Sequence, residues 1–241
     1  KLDKDTPIVM LTADDGRNYS KPMLSTGFTK GKSADELAMA GPEKIAEQFG
    51  ITLRTHVTVT CIDRDGHAVL IGDERLPYSK LVLAWGADVF RPPVEGDGLD
   101  KVYTVNDLED YGRFRVAVEG MKTLLIVGGG LIGCEFANDL TNGGFKVHVV
   151  EPVGRCLPTF LPETASKAVS DALTEQGVTF HFGPYVQRVD AAGDGVRATL
   201  SDGSTVDADR VLSAVGLRPR IALAEQAGLK VNRGICTDQT L

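Results

Sequence analysis

Short apolar runs separated by polar and glycine-rich segments recur along the whole chain, and this pattern predicts strands alternating with helices. No run approaches the ~20 apolar residues that a membrane-spanning helix needs. Alternation of this kind is typical of an α/β fold with a parallel sheet. The predicted strands are Ile8–Thr12, Val57–Asp63, Ala68–Ile71, Leu81–Ala84, Leu124–Val127, Val147–Val150, Val178–Phe182, Val186–Asp190, Val196–Leu200 and Val211–Ala214.

Proline and glycine set the predicted helix ends, because proline is favoured at the first helical position and glycine just past the last one. Pro42 and Gly50 therefore bound one helix. The other predicted helices are 107–119, 131–142 and 162–176, the last two followed by glycine. The polar segment Tyr19–Gly27 predicts a loop.

The chain also contains an internal repeat. Asp73–Gly86 and Asp202–Gly216 each resemble a small hairpin that leads into an apolar strand ending in Ala-x-Gly. We interpret the repeat as a duplication of one domain, since two units of this size fit the usual domain length.

A glycine-rich segment, Gly128-Gly129-Gly130-Leu131-Ile132-Gly133, lies between a predicted strand and a predicted helix. In a dinucleotide-binding unit, the first glycine allows a tight turn and the second lets the backbone approach a pyrophosphate. The third permits close packing of helix and strand. Gly128, Gly130 and Gly133 fit these roles, and the helix start that includes Leu131 and Ile132 offers unpaired amides to phosphate.

An acidic residue follows at the expected distance. Glu151 ends the next predicted strand, where its carboxylate would accept hydrogen bonds from both ribose hydroxyls and repel a 2′-phosphate. The sequence thus favours NAD over NADP. Arg155 could reach a phosphate, but we interpret it as a loop residue in contact with solvent.

The first copy of the repeat has no corresponding glycine motif between Lys1 and Leu24. We therefore expect the chain to begin just before the second strand of a first dinucleotide domain. Asp14 then becomes the ribose-facing acid of that domain, and the alternative is that Asp14 is only a turn residue.

Composition narrows the function classes. With 26 Lys+Arg against 33 Asp+Glu, the formal charge of −7 argues against sequence-independent binding to nucleic acid or to an anionic membrane. The four cysteines and four histidines have no metal-ligand spacing, so we interpret them as structural and predict no metal site. The first residues lack the apolar segment of a signal peptide, which predicts a cytoplasmic protein.

Several stretches are similar to the flavoprotein reductases with two dinucleotide domains, and more closely to the bacterial rubredoxin reductases. They spread over almost the whole chain: Thr12–Gly27, Leu83–Ala87 with its single tryptophan Trp85, Asn106–Tyr111, Gly130–Leu140 and Ala214–Pro219.

The resemblance implies two Rossmann-like domains that bind FAD and NAD. It places a partial FAD domain at residues 1–104, an NAD domain at 105–222 and a return segment at 223–241. It further implies that Lys21 and Glu135 approach the flavin from opposite domains as a cation and its carboxylate partner, and that Val59 and Gly216 also contact cofactor. For Lys21 the alternative is a surface lysine, for Glu135 an acid in the first helical turn, and for Val59 a plain strand residue.

The cysteine pattern separates this chain from related subfamilies. Disulfide reductases carry a CxxxxC pair after the second strand, which is missing here, and Thr26 occupies the position of the peroxidase cysteine. Reducing equivalents must then leave the protein, so we predict an NADH-dependent reductase of rubredoxin. The alternatives are a ferredoxin or flavorubredoxin reductase, and an NAD-binding module without turnover. A dehydrogenase with a single Rossmann domain fits poorly, since no catalytic set follows the glycine motif.

Overall fold

The computed structural model describes residues 5–240 of the chain. Its strands are β1 (Val9–Leu11), β2 (Thr52–Arg54), β3 (Cys61–Asp63), β4 (Ala68–Ile71), β5 (Glu74–Pro77), β6 (Ala87–Val89), β7 (Val102–Tyr103), β8 (Thr123–Val127), β9 (Lys146–Glu151), β10 (Thr179–Phe182), β11 (Val186–Ala192), β12 (Gly195–Leu200), β13 (Thr205–Ala208), β14 (Arg210–Ser213) and β15 (Leu217–Pro219). Its α-helices are α1 (Met23–Thr29), α2 (Ala34–Leu37), α3 (Pro42–Phe49), α4 (Leu108–Ala117), α5 (Leu131–Asn142), α6 (Glu163–Glu175) and α7 (Ala222–Gln226).

The chain divides into two compact units. The first comprises the described residues up to Tyr19, Ala38–Asp88 and the described residues from Leu217 onward. The second comprises Ser20–Leu37 and Val89–Gly216. These divisions fall at other positions than the boundaries expected at 104/105 and 222/223, and residues 20–37 group with the second unit.

A five-stranded sheet in the order β10-β9-β8-β14-β7 forms the centre of the second unit, and all of its strands are parallel. Leu124, Leu125 and Ile126 in β8 are completely buried, as expected for a central strand covered on both faces. The chain runs outward from β8 through β9 to β10 and returns through β14 on the other side. The carboxyl ends of β8, β9 and β14 therefore meet at a topological switch point.

A second, antiparallel sheet, β11-β12-β13, covers one face of the parallel sheet. The two sheets share an apolar core of Leu125, Val150, Val186, Val189, Val196, Ala198, Leu200, Val206, Ala208 and Val211. The alternation of buried and exposed residues in β12 and β13 follows from this one-sided packing.

The first unit contains a parallel pair, β1 and β2, joined through α3, and a separate antiparallel sheet, β3-β4-β5. Gly50 ends α3 with a left-handed conformation (φ 64°), the backbone that glycine adopts without steric cost. Both β3-β4-β5 and β11-β12-β13 are antiparallel sheets of three consecutive strands. An α/β fold built on Rossmann-like units is thus confirmed.

Helix α1 corrects one prediction, because residues 19–27 were expected to form a loop. Phe28 is buried, and its ring lies edge-on to Tyr111, Phe114 and Phe136 with centroids 5.3 to 6.2 Å apart. The hydroxyl of Tyr111 donates a hydrogen bond to the carbonyl of Lys32 (2.5 Å). Burial of this aromatic cluster stabilises a helix that the local polar sequence does not favour.

One strand prediction was also wrong, and a second predicted strand is shorter than expected. Leu81–Ala84 forms no ladder in the described part of the chain, and the side chain of Val82 is 84% exposed. An apolar segment becomes a strand only where a neighbouring strand accepts its hydrogen bonds. For the same reason, Val57–Asp63 shortens to Cys61–Asp63, although the amide of Val57 donates to the carbonyl of Thr12 (2.9 Å).

A pair of histidines joins β9 and β10. Nδ1 of His148 lies 3.1 Å from Nε2 of His181, and the ring centroids are 5.4 Å apart. At this distance the contact is a hydrogen bond between the two imidazoles, in which one nitrogen donates and the other accepts. Burial lowers the pKa of both rings. For His148 the positive charges of His181 and Lys146 lower it further, whereas for His181 the charge of Asp202 opposes the shift.

The histidine pair makes stability depend on pH. Since folding lowers both pKa values, the unfolded chain binds more protons below the ordinary histidine pKa of about 6.5. The free energy of unfolding should therefore fall as the pH decreases through that value. Thermal unfolding at pH 8 and pH 5.5 tests this. The His148→Asn/His181→Asn variant should show a smaller difference than wild type and than the exposed-site control His56→Asn. An equal difference in all three would contradict it.

Candidate dinucleotide-binding site

The loop after β8 has the geometry expected of the glycine motif. Gly128 adopts a φ of +107°, and a β-carbon there would lie 2.7 Å from the carbonyl oxygen of Ala214. A β-carbon at Gly133 would overlap the carbonyl oxygen of Gly128, which allows α5 to begin directly against the turn. A β-carbon at Gly130 would meet no heavy atom within 4 Å, so this glycine borders open space. A bound group can thus approach the backbone at Gly130.

Helix α5 begins at this loop without a side chain that caps its first amides. Gly130 is its N-cap and provides no side-chain hydrogen bond, and the first turn contains no acidic residue. Leu131 is 49% exposed, and Ile132 is partly exposed. Helix starts of this kind attract phosphate, because their amides and the helix dipole both favour negative charge.

Glu151 holds a buried carboxylate beside the loop. Its residue is only 6% exposed, and Oε2 accepts a hydrogen bond from the amide of Gly129 (2.7 Å). Oε1 accepts another from the amide of Val153 (2.8 Å). Two backbone donors hold the carboxylate in place at the end of β9, and its remaining lone pairs can accept from ribose hydroxyls.

Gly216 follows β14 at the same edge of the sheet. Its φ is +110°, and its carbonyl accepts a hydrogen bond from the amide of Phe90 (3.0 Å). Gly128, Glu151 and Gly216 thus lie at or just beyond the carboxyl ends of neighbouring parallel strands, where open α/β sheets bind their ligands.

Lys21 and Glu135 are not paired as expected. The ammonium of Lys21 donates to Oδ1 of Asn106 (2.8 Å), and no ion pair with Glu135 exists among residues 5–240. Both residues belong to the second unit rather than to opposite domains. Asn106 was not identified from the sequence, because nothing in the pattern connects two loop residues this far apart along the chain.

Glu135 lies in the second turn of α5, so it is not the first-turn acid that the alternative supposed. Desolvation raises the pKa of its carboxyl, and the negative charge of Asp139 one turn later adds to the increase. Asp139 is itself buried and accepts a hydrogen bond from the hydroxyl of Thr29 (2.6 Å). This network holds the acidic face of α5 in place.

Asp14 and Val59 belong to the first unit. Oδ1 of Asp14 accepts from the hydroxyl of Thr12 (2.6 Å) and the amide of Gly16 (2.9 Å), which is the pattern of an Asx turn. Asp14 lies three residues beyond β1, whereas Glu151 is the last residue of β9. Val59 lies just before β3, outside any strand.

Arg155 follows Glu151 by four residues and is partly buried. Its Nη2 donates to the carbonyl of Pro158 (3.3 Å), whereas Nε is buried without a hydrogen-bond partner. The side chain is therefore less exposed than the sequence suggested. Trp85, the single tryptophan, donates its indole N–H to the carbonyl of Arg220 (2.8 Å).

The part of the chain that the structure describes contains no cluster of three or more potential metal ligands. No helix in that part is both long and apolar enough to span a membrane.

The chain is similar to several known proteins. The chain is 64% identical over its full length to a rubredoxin–NAD(+) reductase of Alcanivorax borkumensis, and covers 63% of that protein. It is 39% identical to a nitric oxide reductase FlRd-NAD(+) reductase of Vibrio vulnificus, with the same coverage. The crystal structure of a ferredoxin reductase from Rhodopseudomonas palustris matches 98% of this chain and 59% of its own, at 30% identity and a TM-score of 0.90.

The chain thus spans less than two thirds of the length of these relatives. A model of the pyridine nucleotide-disulphide oxidoreductases matches residues 2–241, which is almost the entire sequence. Together with the parallel sheet, the glycine loop and the acid that ends β9, this match shows that the chain belongs to the pyridine nucleotide-disulphide oxidoreductase family.

Proposed function

We propose that the chain binds NADH in its second unit and, with FAD, passes electrons to a small iron–sulfur carrier, in the first place rubredoxin. The observation that carries the proposal is the buried carboxylate of Glu151, held by the amides of Gly129 and Val153 at the end of β9. The 64% identity to a rubredoxin–NAD(+) reductase supports rubredoxin as the acceptor.

In this proposal, the second unit binds and orients the nicotinamide nucleotide. Gly130 lets the pyrophosphate approach the backbone. The amides of Leu131, Ile132 and Gly133 donate hydrogen bonds that stabilise its negative charge. Glu151 accepts from the ribose hydroxyls and disfavours a 2′-phosphate. Gly128 and Gly216 keep the loops after β8 and β14 free of side chains.

The residues fit FAD in a more limited way. Asp14 presents a carboxylate after β1, and we assign it to the ribose of FAD, with Val59 contributing backbone contact near the adenine. We assign Lys21 and Glu135 to the surroundings of the flavin ring. When bound, NADH would supply hydride and FAD would divide the electron pair into single electrons, so the residues of this chain contribute orientation and electrostatics.

The charge of Lys21 is the specific part of that assignment. Its ammonium is oriented by Asn106, and a fixed cation would stabilise an anionic flavin. Loss of the charge in Lys21→Ala should weaken FAD retention by the purified chain severalfold. Lys30→Ala, at the end of α1, is the matched control and should retain FAD as wild type does. Retention of FAD is measured by absorbance after desalting. Equal retention by both variants would show that Lys21 is a surface lysine without a role in FAD binding.

The choice of carrier is tested by direct reduction. The purified chain is supplied with FAD and NADH and mixed with oxidised rubredoxin or oxidised ferredoxin, and the visible bands of the carrier are followed. The proposal expects faster bleaching of rubredoxin. Preferential reduction of ferredoxin would favour the second candidate acceptor, which the ferredoxin reductase of similar fold suggests.

NADH binding without any carrier reduction would instead favour an NAD-binding module without turnover. The proposal also includes the predicted cytoplasmic location, which cell fractionation tests.

A further inference from the structure

A pair of histidines lies at one edge of the parallel sheet. His148 is in β9 and His181 is in β10, the outermost strand of the order β10-β9-β8-β14-β7. His148 is in register with Thr179, and His181 is in register with Val150. Because side chains alternate along a strand and partners in register share a face, both imidazoles lie on the same face of the sheet. Both histidines are partly exposed, so a dissolved ion can reach them.

The two ring nitrogens that face each other are separated by the distance that one metal ion requires. Nδ1 of His148 lies 3.1 Å from Nε2 of His181, and the ring planes are inclined by 29°. Zinc–nitrogen bonds of about 2.0–2.1 Å place two nitrogens on one ion about 2.8–3.4 Å apart, for bond angles from about 90° to about 109°. The strands therefore already hold the nitrogens at this separation. Each ring needs only to turn until its lone pair is directed at an ion beside the line between the nitrogens.

The hydrogen that the two rings share can be moved without loss of a proton from the pair. At present one imidazole nitrogen donates and the other accepts. When an ion takes the place of this hydrogen, the proton moves through water to the second nitrogen of the same ring, which converts one neutral tautomer into the other. Burial lowers the pKa of both rings, and the neutral imidazole is the form that binds metal.

The charged groups around the pair are of opposite sign. Lys146 in β9 disfavours a positive charge on His148, whereas Asp202, in the turn between β12 and β13, favours a positive charge on His181. Oδ1 of Asp202 accepts hydrogen bonds from the amide (2.9 Å) and the hydroxyl (2.6 Å) of Ser204. The carboxylate of Asp202 thus has a fixed position and offsets the repulsion between Lys146 and a bound cation.

Imidazole ligands also determine the class of ion. They suit zinc, copper and nickel, whereas calcium and magnesium prefer oxygen ligands. Two imidazoles are fewer than the protein ligands of most zinc sites, so water occupies the remaining positions and the affinity is moderate. From the sequence we predicted no metal site, because 33 residues separate the two histidines. Only the pairing of β9 with β10 brings them together.

We propose that His148 and His181 together bind one divalent transition-metal ion, for which Zn²⁺ is the probe. The ion joins β9 to β10 on the face of the sheet opposite the side chain of Glu151, since side chains alternate along β9. The proposal does not rest on the NADH site, and zinc binding is measured without nucleotide.

Competing ligands are removed before the measurement. The exposed Cys61 and Cys236 are replaced with serine, and this parent chain is prepared without a polyhistidine tag. Zinc chloride is then titrated into the parent chain by calorimetry. We expect one site with a dissociation constant on the order of 10 µM, weaker than the four-ligand sites of zinc fingers.

Substitutions in the parent chain assign the site to the pair. His148→Asn and His181→Asn should each weaken zinc binding at least about tenfold, because one of the two protein ligands is lost. His56→Asn removes an exposed histidine outside the pair and is the matched control, which should bind zinc as the parent does. The proposal is overturned if the parent binds no zinc, or if His148→Asn and His181→Asn bind it as tightly as His56→Asn.

Nuclear magnetic resonance tests the site without any change to the pair. The nitrogen-15 signals of the four imidazole rings are recorded before and after zinc is added to the parent chain. The ring nitrogens of His148 and His181 should shift, those of His56 and His67 should not, and EDTA should reverse the change. Shifts confined to His56 or His67 would overturn the proposal, even if a substituted chain fails to fold.

Discussion

Gly133→Ala should lose NADH binding and destabilise the second unit more than any other single change in the loop. The added β-carbon would overlap the carbonyl oxygen of Gly128 and lie 3.0 Å from its carbonyl carbon. Both atoms are backbone, so relief requires α5 to move away from β8. Overpacking of this kind costs about 1–3 kcal/mol of the free energy of unfolding. The displaced helix start would lower NADH affinity by at least about tenfold.

Gly130→Ala separates the loss of NADH binding from the loss of stability. A methyl group at Gly130 meets no protein atom within 4 Å, so thermal stability should stay near that of wild type, while the methyl group obstructs the pyrophosphate and lowers NADH affinity. Gly234→Ala, in the first unit, also adds a methyl group in open space and should change neither property. Circular dichroism melts and NADH titrations measure both. NADH affinity equal to wild type in Gly133→Ala would show that the glycine loop is not part of the NADH site.

Glu151→Ala should reduce the preference for NADH over NADPH. The substitution removes the acceptor of the ribose hydroxyls and leaves the amides of Gly129 and Val153 without their partner. Loss of hydrogen bonds to a charged group should weaken NADH binding about ten- to hundredfold. NADPH should lose less, because the repulsion between the carboxylate and the 2′-phosphate also disappears.

Two further variants identify the cause of the reduced preference for NADH. Glu151→Gln keeps one acceptor oxygen but removes the charge, so it should recover part of the NADH affinity and retain the gain in relative NADPH binding. Arg155→Ala tests whether the arginine contributes to NADPH binding once the carboxylate is gone, since its Nε is buried without a partner. An unchanged ratio of the NADH and NADPH dissociation constants in Glu151→Ala would remove Glu151 from the ribose role.

The sequence predicted the second unit well, because its signals are local. Apolar strands, the glycine loop and the glycine after α5 each specify the backbone within a few residues, and the structure places them at nearly the same bounds. The position of the acid that ends β9 was predicted from its spacing to the glycine loop. These elements therefore need no information about contacts between distant residues.

The errors occurred where distant contacts decide the structure. Helix α1 depends on the burial of Phe28 against rings from α4 and α5, and the segment 81–84 depends on a neighbouring strand. The bond between Lys21 and Asn106 likewise joins residues far apart in the chain. No periodicity in a single sequence reports such pairs.

The central claim is that the second unit binds NADH through Gly128–Gly133 and Glu151. Isothermal titration of the purified 241-residue chain with NADH and, separately, with NADPH tests it most directly. The account predicts one saturable NADH site and NADPH binding at least about tenfold weaker, the effect of one unfavourable charge contact. A folded chain that binds neither nucleotide, or that binds NADPH as tightly as NADH, would contradict it.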